Sequence, residues 1–364
     1  MKSWKLHKMF FYILYYIVIV ATYLLFFLEY KIKTAIEEGR LPEIQSFGET
    51  DLTDFVDCES KKTVLHFAVD GGKTDILNHL FEVISNEKVC ELLHHQDAHG
   101  KTVFHYIAAI KNGDVVEEVL QSVNKCNFNW SDALSFKCKK KKTICHYAIQ
   151  NKSFRVLKHI SDVNDFTVDE QDDEGQNYIH YFCRHFPNGI HFSEFLKKIP
   201  TDDGKNQRLA TSPTSSCNTP PLLFALENCC NDSIDFLDFL KAILKLHKFE
   251  DLVQLKSGQQ KSTLIMHAIK RLNGVAKNCF FDRLLELKHE HNESFKTLKW
   301  EKNEENQTIL NVIFDEVDDR SLNKLLEIIS KEKCKEILEE SKPLTPSHDI
   351  KGFEMVCKIS GMCN

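Results

Sequence analysis

Residues 61–72 read KKTVLHFAVDGG, a short apolar cluster that opens on a threonine and closes on two glycines. Near copies recur along the chain: GKTVFHYIAAIKNG from Gly100, KKTICHYAIQN from Lys141 and GQNYIHYFCRHF from Gly175. Weaker ones follow as NTPPLLFALEN from Asn218, KSTLIMHAIKR from Lys261 and NQTILNVIFDE from Asn306. Aligned on their first polar position, they place Thr63, Thr102, Thr143, Asn177, Thr219, Thr263 and Thr308 in one column, 34 to 45 residues apart. A fixed period of this size means one supersecondary unit reused with insertions.

Each cluster is followed by a second apolar segment with helical spacing. After the first comes DILNHLFEVI from Asp75, where Ile76, Leu77, Leu80, Phe81 and Ile84 fall three and four residues apart and share one helix face. VVEEVLQSV from Val115, FRVLKHI from Phe154, FSEFLKKI from Phe192, IDFLDFLKAILKL from Ile234, CFFDRLLEL from Cys279 and SLNKLLEII from Ser321 repeat the pattern. The order in every unit is turn, short helix, longer helix, polar connection. This resembles the ankyrin repeat, whose signature is Thr-Pro-Leu-His-x-Ala. The matches are Thr63-Val-Leu-His66-Phe-Ala68, Thr102-Val-Phe-His105 and Thr143-Ile-Cys-His146-Tyr-Ala148, with His180 in the fourth unit. Proline survives only at Pro220, and the histidine becomes Leu222, Met266 and Asn311 in the last three units, with His267 one place late. The resemblance covers about residues 57–330 and implies an all-α fold, an ankyrin-like helical repeat solenoid with short hairpin turns.

Composition agrees with a mostly helical fold. Glycine (13) and proline (8) are scarce for 364 residues, which disfavours a loop-rich sandwich or a glycine-dependent nucleotide fold. With 47 Lys plus Arg against 53 Asp plus Glu, the net charge of −6 argues against a nucleic-acid partner. The 13 cysteines are odd in number, run from Cys58 to Cys363 and contain no Cys-x-x-Cys pair, so free thiols in a reducing compartment are expected.

One segment departs from the average. MFFYILYYIVIVATYLLFFL, residues 9–28, carries no charge and as a helix spans about 30 Å, the thickness of a bilayer core. A cleaved signal peptide is the competing reading, since Lys2, Lys5 and Lys8 make a basic start; the length of the apolar run and the lack of a small-x-small cleavage site oppose it. The expected organisation is a basic flank at 1–8, a transmembrane helix at 9–28, a linker at 29–56 with a helical start at Lys31–Glu38 and then an irregular stretch around Pro42 and Gly48, the repeats at 57–330 with a long exposed loop at 201–221, and a helix end and tail at 331–364. Lysines stand on both sides of the apolar run, so charge leans only slightly toward a cytoplasmic N-terminus, which would place the repeats outside the cytosol; the unpaired thiols pull the other way and favour a single-pass membrane protein with cytosolic repeats.

Chemistry is sparse. His66, His105, His146 and His180 each sit in a separate unit, so they form a ladder rather than a centre; the resemblance assigns them and Thr63, Thr102 and Thr143 to holding turns and neighbouring units together. Gly71-Gly72-Lys73-Thr74 mimics the end of a phosphate-binding loop, but Phe67 stands where the first glycine is required. His94, His95 and His99 lack companion ligands at zinc spacing, and no nucleophile elbow occurs. No catalysis, metal or cofactor is expected. In the family the hairpin tips and first helices meet protein partners, which makes Asp97, His99, Lys101, Lys139, Lys140, Lys141, Asp173 and Glu174 the candidate contact residues. The run Lys137-Cys-Lys-Lys-Lys-Lys142 is the sharpest charge feature, suited to a solvated loop, to an acidic partner or lipid headgroup, or to nuclear import, which a membrane anchor opposes. The reading is a membrane-anchored scaffold that binds proteins; the alternative is an exported effector whose first segment is removed.

Overall fold

A computed structural model describes residues 2–110, 113–126, 128–161, 163, 170–185, 188–198, 205–214, 218–228, 234–247, 252, 255–256, 262–272 and 274–290, with scattered positions from 302 to 337. The chain is mostly helical and, among the described residues, contains no strand. It divides into two compact units, Met1–Phe166 and Thr167–Asn364.

The first unit holds α1 (Lys2–Glu38), α2 (Leu41–Ile44), α3 (Glu49–Thr53), α4 (Val64–Asp70), α5 (Thr74–Val83), α6 (Asn86–His94), α7 (Val103–Ile107), α8 (Gly113–Lys125), α9 (Trp130–Ser135), α10 (Ile144–Gln150) and α11 (Phe154–Ser161). The reused cluster sets the start of three of these. Thr63, Thr102 and Thr143 precede α4, α7 and α10 in nearly identical extended geometry, φ −91, −91 and −92° with ψ 174, 170 and 172°. These first helices lie side by side in succession, α4 on α7 and α7 on α10, and the second helices do the same, α5 on α8 and α8 on α11. The face Ile76, Leu77 and Leu80 of α5 is fully buried, each such side chain contributing roughly 1.5–3 kcal/mol.

The expected linker at 29–56 is not one. Helix α1 runs unbroken from Lys2 through the apolar stretch to Glu38, and its last turns pack on α2 and α4 with Ile32, Ala35 and Ile36 buried. Its apolar part is bare, with Tyr12 73% and Tyr23 75% exposed; it is the one helix among the described residues long and apolar enough to cross a membrane. Pro42 and Gly48, the residues that mark a linker in the sequence, instead start helices. Proline occupies the first turn of α2, where its missing N–H costs nothing, and Gly48 caps α3. Ile44, Leu52 and Phe55 bury against the same layer.

The second unit holds α12 (Tyr178–His185), α13 (Gly189–Lys198), α14 (Lys205–Thr211), α15 (Pro221–Asn228), α16 (Ile234–Leu244), α17 (Leu264–Arg271) and α18 (Gly274–Glu290). First helices again form a row, α12, α15 and α17, and second helices another, α13, α16 and α18. Phe182, Phe192 and Phe239 chain through it with ring centroids 5.2 and 4.9 Å apart. The stretch expected as a long exposed loop contains α14, whose Leu209 and Ala210 are buried and whose Leu209 carbonyl accepts from Asn177 Nδ2 at 2.8 Å. Two apolar residues suffice there because Asn177 supplies the polar anchor. Residues 201–204 and 215–217 of that loop, and the tail at 331–364 apart from buried Ile337, lie outside the described residues.

Candidate functional site

Before each first helix the chain makes a tight hairpin, and the hairpins carry the exposed polar chemistry. Closing bonds define them: Asp57 N–H to Lys62 O, Asp97 N–H to Lys101 O, Cys138 N–H to Lys142 O, Asp172 N–H to Gln176 O, Thr214 N–H to Thr219 O and Asn303 N–H to Gln307 O. The residue before each closing carbonyl has a left-handed φ: Lys61 56°, Gly100 74°, Lys141 54°, Gly175 77°, Asn218 51° and Asn306 57°. In the first unit neighbouring hairpins are tied edge to edge, Ala98 N–H to Ser60 O and Lys139 N–H to His99 O, both at 2.8 Å. Gly100 permits that approach, since a Cβ there would stand 3.1 Å from Lys139 N at a φ that side chains avoid.

The hairpins also correct the sequence register. The closing carbonyl of the 214–219 hairpin belongs to Thr219 and α15 starts at Pro221, so Pro220, not Thr219, occupies the column of Thr63 and Thr102. This hairpin and the 57–62 hairpin have six residues where the others have five.

The repeated histidines bind within and between units. Nδ1 of His66 accepts from Thr63 N–H at 3.3 Å while Nε2–H donates to Lys101 O at 3.2 Å; His105 does the same with Thr102 N–H at 3.1 Å and Lys142 O at 3.2 Å. His180 accepts from Asn177 N–H at 3.2 Å and donates to Thr219 O at 3.2 Å, and His146 accepts from Thr143 N–H at 3.1 Å. A carbonyl at Nε2 and an amide at Nδ1 fix the neutral Nε2–H tautomer. Burial pushes His66, His105 and His180 down to about 4, so the rings stay neutral. Each ring also meets, edge to face, an aromatic ring of the next unit: His66 on Tyr106 at 5.5 Å, His105 on Tyr147 at 5.4 Å and His180 on Phe224 at 5.7 Å. His267 stands in that aromatic position of its own unit; it is buried and its Nε2 has no hydrogen-bond partner among the described residues.

Asp97 is not the exposed contact expected from the sequence. It is buried, with Oδ1 accepting from His99 N–H and Lys101 N–H at 2.8 Å each and Oδ2 accepting from Tyr106 Oη–H at 2.6 Å. Burial by itself raises its pKa, but the Tyr106 hydroxyl and the two amides outweigh that and hold it below the usual carboxylate value. Asp172 repeats the arrangement with Glu174, Gln176 and Tyr181, and Cys138 takes the same place opposite Tyr147, Sγ to Oη 3.8 Å. A carboxylate fits this position because a hairpin turns its amides inward, where a compact acceptor satisfies several at once.

The other contact candidates divide by unit. His99, Lys139, Lys140 and Lys141 are exposed on the first unit's hairpins, and Asp173 and Glu174 are exposed on the 172–176 hairpin of the second. Lys101 is half-buried, its ammonium over Tyr106 at 5.5 Å and Tyr147 at 5.0 Å. It belongs to a column the sequence reading missed. Lys33 lies over Phe67 at 5.3 Å, and Lys62 over Phe67 at 5.4 Å and Tyr106 at 4.7 Å, so cations alternate with the rings of successive units. The signal was present as Lys-Thr-x-x-His followed by Phe67, Tyr106 or Tyr147. Asp57 and Asp70 neutralise two of these lysines, Lys33 at 3.0 Å and Lys62 at 2.7 Å.

The histidines 94, 95 and 99 are parted by the fold. His94 bonds Cys90 O at 2.7 Å, His95 Nε2–H donates to Lys61 O at 3.0 Å, and His99 faces solvent. Gly71 and Gly72 form the turn between α4 and α5, with helix rather than strand before them. The buried polar groups of these hairpins thus bond within the fold, and the tip side chains His99, Lys139, Lys140, Lys141, Asp173 and Glu174 remain exposed. No protein-family model matches the chain, and no curated protein matches it significantly.

Proposed function

We propose that the protein is a membrane-anchored, ankyrin-like repeat adaptor that binds other proteins through its hairpins and first helices and performs no catalysis. The observation that carries this reading is the contrast within the hairpins at 57–62, 97–101, 138–142 and 172–176. The backbone is fixed by closing bonds, edge-to-edge bonds and a buried carboxylate or thiol, while the tip side chains stand in solvent. A rigid backbone presenting exposed charge lowers the ordering cost of association, and repeated units provide an extended surface for it. The half-buried cation–ring column beside the tips adds sites where a partner's carboxylate or apolar group gains from desolvation.

The repeats are assigned to the cytosolic side, on the strength of the cysteines. All seven among the described residues are thiols, and Cys58 is exposed. Asn129, Asn151, Asn231, Asn292 and Asn306 begin Asn-x-Ser/Thr triplets and report on this directly. In cells expressing the full chain, glycosidase treatment leaves its mobility unchanged and protease added to sealed microsomes degrades the repeats; a glycosylated, protected chain overturns the orientation. A photocrosslinking amino acid at Asp173 or Glu174 gives discrete partner adducts that are absent when it is placed at Glu118 on the second-helix side. Equal adducts at all three positions sink the adaptor reading, and a mature chain beginning after Tyr30 replaces the anchor with an exported form.

A further inference from the structure

Helix α1 has no break between its apolar stretch and its packed end, and this fixes where the membrane lies relative to the hairpins of the first unit. At one end of the packed segment Lys33 Nζ reaches Asp57 Oδ1 at 3.0 Å, in the hairpin that opens α4. At the other end Gly39 adjoins Lys73, past the end of α4, where a Cβ on the glycine would stand 3.4 Å from Lys73 Nζ. The last turns of α1 therefore run parallel to α4, start beside start and end beside end. Followed backwards, α1 leaves the unit on the hairpin side. Leu28 lies five residues before Lys33, about 8 Å along a helix, so the apolar stretch begins about 8 Å along α1 from the residue that grips the first hairpin.

The hairpins 57–62, 97–101 and 138–142 are tied edge to edge and share this side of the unit. Their exposed charge is mostly positive. Lys61, Lys139, Lys140 and Lys141 are exposed and in no ion pair among the described residues, against a single exposed carboxylate at Glu59. Asp57 and Asp97 are buried and bonded within the hairpins. His99, exposed on the middle hairpin, is a further donor at the same edge.

We propose that this hairpin row is a lipid-facing surface, on which Lys61, Lys139, Lys140 and Lys141 bind anionic phospholipid headgroups of the membrane that α1 crosses. The inference rests on the membrane-spanning reading of α1. It deepens that reading by assigning the lysine run to the bilayer: a side chain about 6 Å long bridges most of the distance from hairpin to headgroup, and each lysine near an anionic surface gains roughly fivefold in binding. Left-handed Lys61 and Lys141 stand at the corresponding place in their hairpins, so the two outer hairpins present a cation from the same turn position.

The test uses the full chain reconstituted in vesicles of phosphatidylcholine alone or with phosphatidylserine at roughly a third of the lipid, each carrying a trace of the corresponding lipid with a photoreactive headgroup. The anchor is read by flotation that survives alkaline carbonate, and the hairpins by mass spectrometric mapping of headgroup adducts. The expected result is flotation with both lipids, with adducts at 58–61 and 137–142 at least roughly tenfold more abundant with phosphatidylserine and suppressed by about 0.5 M salt. K139Q/K140Q/K141Q loses most of the adducts at 137–142, while K139R/K140R/K141R retains them; matching thermal melts show that both variants fold. Flotation without hairpin adducts, or with adducts equal in both lipids, overturns the proposal and leaves the anchor standing. Hairpins that stay unlabelled in anionic vesicles yet are shielded from amine modification by polyglutamate assign the lysines to an acidic protein instead. A chain that does not float overturns the anchor and the proposal together.

Discussion

A single imidazole ring closes the junction to the next hairpin at His66, His105 and His180. His105 satisfies an amide of its own turn and a carbonyl of the next hairpin and seats Tyr147 against its edge. His105→Ala leaves buried Thr102 N–H without its ring partner and Lys142 C=O with the Cys138 amide alone, beside a small void. We expect a loss of about 2–4 kcal/mol, read as a lower urea midpoint, whereas exposed Lys140→Ala changes it by less than about 0.5 kcal/mol. Acid acts on the same rings. His66, His105, His180 and His267 are held at about 4 in the fold against an ordinary 6.5, so the unfolded chain binds more protons between those values. Stability is therefore full above pH 6.5 and falls as pH drops toward 4, by on the order of 1–2 kcal/mol per ring at pH 5. Asp57, held at about 2 against burial by Ser60 and Lys33, extends the decline to lower pH. Urea titrations at pH 7 and pH 5 check this, and equal midpoints would refute it. The Thr-x-x-His pattern was legible in the sequence because ring and threonine are three residues apart. The partner carbonyl was not, because it lies 35 to 39 residues away.

Among the helices, legibility followed whether the signal was local. The second helices were readable from their three- and four-residue apolar spacing, and the first helices from threonine and glycine at their ends. Pro42 and Gly48 misled, since each also suits a helix start, and only the burial of Ile44 and Leu52 distinguishes the two uses. The packing of α13 on α16 turns on Gly189, which spacing does not reveal. A Cβ on it would meet the backbone of Asp238 and Phe239 at 2.5 Å, a distance that forces one helix to shift. Gly189→Ala is expected to destabilise the second unit by roughly 1–3 kcal/mol despite its gain in helix propensity, and to disturb the Phe192–Phe239 contact. A thermal melt with near-ultraviolet dichroism decides it, and an unchanged or higher melting temperature would contradict the close approach.

At the scale of the chain, repetition distributes stability among local junctions, and the apolar helix is part of one of them. Because α1 supplies both the stretch long enough to span a bilayer and the first layer of the stacked helices, no hinge stands between the apolar stretch and the packed first unit. A flexible tether would let that unit sample every tilt above a membrane. A continuous helix behaves as a driveshaft: each residue inserted near Tyr30 would turn the unit by about 100° about the helix axis and lift it by 1.5 Å. The azimuth of the hairpins is thus encoded in the count of residues between Leu28 and Ile32, a short arithmetic that leaves no trace in hydrophobicity or charge.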